Sequence, residues 1–77
     1  MEQLMEILRE VRQDVDFDTC TTLIDDDILD SFDIIAIVTE INEVFDIQID
    51  ADELLPENFN SAENIYKLIQ TLQAEDN

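Results

Sequence analysis

Asp30-Ser31-Phe32-Asp33-Ile34-Ile35-Ala36-Ile37-Val38-Thr39-Glu40-Ile41-Asn42-Glu43-Val44-Phe45 is the stretch on which the fold turns. Its β-branched content favours a strand, but its length and the spacing of Ile34, Val38, Ile41 and Phe45 predict an α-helix. Asp30 and Ser31 are both good N-cap residues, and Asp33 puts negative charge in the first turn, where the helix dipole favours it. Seven large apolar residues then fall in twelve positions: Ile34, Ile35, Ile37, Val38, Ile41, Val44 and Phe45. That is more than one narrow stripe requires. The pattern predicts a central helix touching neighbours on more than one side, with Ile34, Ile35, Val38 and Ile41 in the core.

Towards the N-terminus, Leu4, Ile7, Leu8, Val11 and Val15 recur at three- and four-residue steps, predicting an amphipathic helix over roughly Glu2 to Asp14. Between the two helices, Asp16 to Asp30 is polar, and Thr19, Thr21 and Thr22 argue against continued helix. So long a loop in so small a chain must pack back on the helices, and Phe17, Leu23, Ile24, Ile28 and Leu29 are its apolar anchors. Towards the C-terminus, Ile47-Gln48-Ile49-Asp50 reads as an extended turn, with Asp50 capping a short helix through Leu55 that Pro56 ends. Asn60 or Ser61 caps a last helix with Ile65, Leu68, Ile69 and Leu72 on one face. Glu63 lies three residues after Asn60, as a capping box requires. The tail from Ala74 to Asn77 is expected to fray. The expectation is an all-α fold in a single domain spanning 1–77, a small four-helix bundle with three main helices, a short third helix and a long loop between helices one and two.

Charge narrows the function. Three basic residues (Arg9, Arg12, Lys67) face 21 acidic ones, a net charge of −18. From Gln13 to Tyr66 there are 16 Asp and Glu and no Lys or Arg. Such a surface repels nucleic acid and anionic membranes and steers basic protein patches towards it. Without His there is no imidazole base, no Ser-His-Asp triad and no His-ligated metal. Without Gly there is no P-loop, no dinucleotide fingerprint and no standard calcium loop. Cys20 is alone, which excludes an internal disulfide, suits a reducing cytoplasm and favours a semi-buried structural thiol. No apolar run is long enough to span a membrane, and Met1-Glu2-Gln3 lacks the basic start of a signal peptide. A cytoplasmic monomer that is not itself an enzyme is expected.

The segment Leu23-Ile24-Asp25-Asp26-Asp27-Ile28-Leu29-Asp30-Ser31 resembles the attachment loop of the acyl carrier protein family, which also includes peptidyl and D-alanyl carriers. Fourteen residues on, Phe45-Asp46-Ile47 is similar to the family's Phe-Asp end of helix two. The segments at Ile49-Asp50 and Phe59-Asn60-Ser61 resemble its short third helix and the start of its fourth, so the likeness spans essentially the whole chain. Asp-Ser alone is a weak motif; joined to this order, length and acidity, it is specific. The resemblance implies a 4'-phosphopantetheine arm, moved from coenzyme A onto Ser31 by a phosphopantetheinyl transferase. The arm's thiol would hold acyl or aminoacyl groups for loading and transferring enzymes with basic docking patches. Asp30, Asp33, Glu40 and Glu43 are the implied partner-recognition residues, and no metal is implied.

Three departures refine the likeness. Asp27 stands where many relatives have glycine, and Asp tolerates unusual backbone angles. Ile28-Leu29 replaces the Gly-Ala common in fatty-acid carriers and is closer to D-alanyl and peptidyl carriers. Ala36, Thr39 and Asn42 also make helix two less acidic than in fatty-acid carriers. A dedicated pathway carrier fits better than a housekeeping one. The bland alternative for Ser31 is an N-cap worth about 1 kcal/mol. The rival for the whole chain is an acidic interaction protein, a basic-surface binder or nucleic-acid mimic with no covalent modification. A calcium loop beginning at Asp25 fails, because Leu29, Asp30 and Ala36 occupy its fifth, sixth and twelfth positions.

Overall fold

Helix α1 spans Glu2–Val11 in the computed structural model, which describes residues 1–75. It buries Leu4, Met5, Ile7 and Leu8, with Glu2 and Arg9 complementing the dipole at its two ends. It stops three residues short of the expected Asp14. Arg12 turns to extended angles (φ −139°, ψ 103°), and its side chain leaves the helix for Asp14 and Asp33.

The loop that follows behaves as core. Phe17, Leu23 and Leu29 are buried, and Val15, Cys20, Ile24 and Ile28 pack half-buried against the same cluster. Its backbone pairs with itself. Asp26 N donates to Thr22 O at 2.9 Å, Asp27 N to Ile24 O at 3.0 Å, and Ile28 N and Leu29 N both to Leu23 O at 3.0 Å. Asp27 sits at φ 55°, the left-handed angle that glycine would adopt at no steric cost.

Helix α2 spans Ser31–Phe45, and Asp30 caps it. Its expected central position is corrected. The most extensive helix packing joins α1 to α2 and joins α3 (Pro56–Phe59) to α4 (Ala62–Glu75), while α1 also meets α4, so α1 lies in the middle. On α2 only Ile37 and Ile41 are fully buried; Ile34, Val38 and Phe45 are half-buried, and Ile35, expected in the core, is 60% exposed. Ile35 lies roughly 100° around the helix from Ile34 and off the buried face that Ile37 and Ile41 form. Asp46 closes α2 in the left-handed conformation (φ 54°). Asn42 Oδ1 accepts from Ile49 N at 3.0 Å and so folds the outgoing chain back, burying Ile49.

Three further expectations change. The piece after Asp50 is a single 3-10 turn, Ala51–Glu53, and not a helix reaching Leu55. Leu55 is extended, as the residue before proline should be, and Pro56 begins α3 at the position where a missing N–H costs nothing. Ser61 caps α4, accepting from Asn64 N at 3.1 Å, while Asn60 is engaged elsewhere and forms no capping box with Glu63. Ala62, Ile65 and Ile69 are buried, with Leu68 and Leu72 half-buried beside them. Ala74 and Glu75 are helical, where fraying was expected; Asp76 and Asn77 lie outside the described residues. The result is a helical bundle around one apolar cluster, with no strand among the described residues and a radius of gyration of 11.4 Å. Among the described residues, no helix is long and apolar enough to cross a membrane.

Candidate functional site

Ser31 is the first residue of α2 and is exposed. Its surroundings follow from Asp30 taking the cap. Asp33 N donates to Asp30 Oδ1 at 2.9 Å, Ile34 N donates to Asp30 O at 3.0 Å, and Asp30 N donates to Asp33 Oδ2 at 3.3 Å. The reciprocal box uses the N–H groups of Asp33 and Asp30, and Ile34 N makes the first regular bond of the helix. The Ser31 and Phe32 N–H groups are left at the positive end of the dipole. Ser31 Oγ makes no hydrogen bond among the described residues, so the bland N-cap role belongs to its neighbour.

The box is braced from α1. Arg12 Nη1 donates to Asp33 Oδ2 at 2.6 Å and to Ile28 O at 3.1 Å, while its Nε and Nη2 bind both oxygens of Asp14 at 2.9 and 3.0 Å. These hydrogen bonds, to Asp14 first and Asp33 second, raise the guanidinium above its already high pKa. In return, the bond from Arg12 holds the Asp14 carboxyl below the usual carboxylate range. The Arg12 and Asp33 side chains are 30% and 15% exposed.

The four acidic residues expected to meet partners therefore divide. Asp30, Glu40 and Glu43 are exposed, whereas Asp33 is half-buried and bound by Arg12. Asp30 also spends one oxygen on the cap. Cys20 is half-buried against the core, its Sγ 3.9 Å from Thr22 Oγ1.

The chain matches no protein-family model, no curated protein and no solved structure. The site stands on its own chemistry.

Two residues of that site escape the sequence reading. Phe32, immediately after Ser31, is 83% exposed, and Ile35 follows it one turn on. Ala36 and Thr39 continue this outer face, and Glu40, Glu43 and the partly exposed Val44 extend it towards the end of α2. The signal was present in the spacing. Phe32 lies roughly 160° around the helix from the stripe led by Ile34. Exposed aromatic and branched side chains beside an exposed hydroxyl, with carboxylates beyond, suit contact with a protein surface.

Proposed function

We propose that the chain is a carrier whose Ser31 accepts 4'-phosphopantetheine from coenzyme A, and whose arm presents acyl or aminoacyl groups as thioesters to partner enzymes. The observation that carries this reading is the exposed Ser31 hydroxyl at the start of α2, relieved of capping by Asp30. A phosphodiester there meets the Ser31 and Phe32 N–H groups and the helix dipole. The new bond is from Ser31 Oγ to phosphorus. It forms as the pyrophosphate bond of coenzyme A breaks; adenosine 3',5'-bisphosphate leaves with the bond's electron pair, and the hydroxyl proton passes to the transferase. The chain has no histidine and, on this reading, needs no base of its own.

Partner choice follows from the same face. Asp30, Glu40 and Glu43 attract basic patches, and Phe32 and Ile35 offer apolar contact within reach of the arm. Ile28 and Leu29, the pair closer to D-alanyl and peptidyl carriers, pack inward, and the proposed cargo is an aminoacyl or specialised acyl group of a dedicated pathway.

Intact-protein mass spectrometry tests the proposal, after incubation with coenzyme A, magnesium and several broad-specificity phosphopantetheinyl transferases, beside Ser31→Ala. Gain of one phosphopantetheine by the parent and none by the variant is expected. No gain on the folded parent would sink the carrier reading and favour an acidic binder of basic surfaces, indifferent to Ser31→Ala.

A further inference from the structure

Three cations serve this chain, and one of them is used differently. Arg9 pairs with Asp18 and Lys67 with Glu63, both pairs well exposed and of the kind that contributes little. Arg12 spans the loop-to-helix junction instead. Its Nη1 reaches Ile28 O on the loop side and Asp33 on the helix side, and Ser31 lies between these two contacts in the chain. Asp14 grips the other edge of the guanidinium through two bonds and fixes its plane.

We infer that Arg12 is a positioning residue for Ser31, setting the place and angle of the hydroxyl without touching it. The inference rests on the reading of Ser31 as the attachment site. The physical chain is short. Asp33 Oδ2 must accept from Asp30 N for the box to close, and the same oxygen is the one Arg12 holds at 2.6 Å. Without the guanidinium, the Asp30 and Asp33 carboxylates face each other across one turn with no counter-charge, in the stretch from Gln13 to Tyr66 that holds no Lys or Arg. Ile28 O loses its donor at the same time. Only a planar fork serves Asp14, Asp33 and a carbonyl together, so lysine replaces it in part at best.

Three variants of the full chain decide the matter: Arg12→Gln, Arg12→Lys and, as a control with the same loss of charge, Arg9→Gln. Initial rates of arm transfer are measured against carrier concentration, well below each unfolding midpoint. Arg12→Gln should lower kcat roughly ten- to a hundredfold with a smaller change in KM, because misplacement of the reacting atom falls on the chemical step. Arg12→Lys should recover part of that loss, and Arg9→Gln should stay within about twofold of the parent. Amide order parameters are read in parallel. They should fall at Asp30 and Asp33 in Arg12→Gln and hold at Ile65 and Ile69, separating junction loosening from general destabilisation. Should Arg12→Gln not fold, Arg12→Lys carries the same comparison. Parent-like kcat, or unchanged order at Asp30, would overturn the inference. If the parent takes no arm at all, the carrier reading falls, and the order parameters alone then judge whether Arg12 holds the junction.

Discussion

Asn60 and Asp25 exchange hydrogen bonds across the molecule: Asp25 N donates to Asn60 Oδ1 at 3.1 Å, and Asn60 Nδ2 donates back to Asp25 Oδ2 at 3.1 Å. The same Oδ1 accepts from Ile24 N at 3.0 Å, and the Asn60 carbonyl accepts from Leu23 N at 2.9 Å. One side chain thereby latches the long loop to the α3–α4 junction. Asn60→Ala strips the acceptor from a part-buried amide and should cost about 1–3 kcal/mol. Asn60→Asp keeps the acceptor for Ile24 N and Asp25 N but turns the donor that faces Asp25 into a second carboxylate, so it too should destabilise, and more at low salt. Urea unfolding checks both, with the midpoint falling and the slope unchanged. A midpoint equal to the parent's for Asn60→Ala would remove the latch.

Phe17 and Phe32 carry the same side chain to opposite ends of the exposure scale, 3% against 83%. Phe17 fills the core from within a loop, so Phe17→Ala should cost about 3–5 kcal/mol. Phe32→Ala should leave stability within about 0.5 kcal/mol of the parent. Its effect belongs to partners: under the proposed function, KM for arm transfer rises while the unfolding midpoint stays put. If Phe32→Ala destabilised the fold as much as Phe17→Ala, the exposed face of α2 would have to be covered in solution.

Asp46 combines two local penalties at the end of α2. It takes a left-handed angle, φ 54°, that favours glycine, and it brings a negative charge to the negative end of the helix dipole, where the last turn has no basic residue. Asp46→Asn relieves the charge and should stabilise by about 0.3–1 kcal/mol. Asp46→Gly should gain at least as much, because it also relieves the steric cost. Thermal unfolding at low salt reads both changes. A lower midpoint for Asp46→Gly would mean that the Asp46 side chain has a stabilising partner.

The helices were legible because their apolar residues repeat at helical spacing, as in Leu4, Ile7, Leu8 and Val11 of α1 or Ile65 and Ile69 of α4. Asp30 and Ser61 were readable as caps for the same local reason. What spacing could not decide was competition between neighbours. Ser31 and Asp30 both suit a cap, and Asp30 takes it because Asp33 can answer in a box. Asn60 resembles a cap until its loop partners, distant in sequence, are known. The long apolar run of α2 also misled: counting its residues suggested neighbours on more than one side, but Ile35, expected in the core, points away from the stripe. The bridge from Arg12 to Asp33 joins two elements with no local signature, so only the fold reveals it.

Acid is the last test, and it isolates Arg12. The hydrogen bond from Arg12 is the main reason the Asp14 carboxyl lies below its ordinary value of 3.8. A carboxyl depressed in the fold adds stability that is complete above the unfolded pKa and is lost as pH falls through the folded one. Arg12 stays charged throughout. Relief of self-repulsion acts in the opposite direction, because protonation reduces the net charge from −18 as pH drops from 7. The parent's thermal midpoint should therefore rise as pH falls towards about 4, where Asp and Glu titrate in the unfolded chain, and the contribution of the depressed Asp14 carboxyl is lost at lower pH. Arg12→Gln should share the rise, lie below the parent at pH 7, and approach it below pH 3.8 as the contribution of Asp14 disappears. Midpoint curves that ran parallel down to the acid limit would show that the Arg12–Asp14 pair adds nothing to the fold.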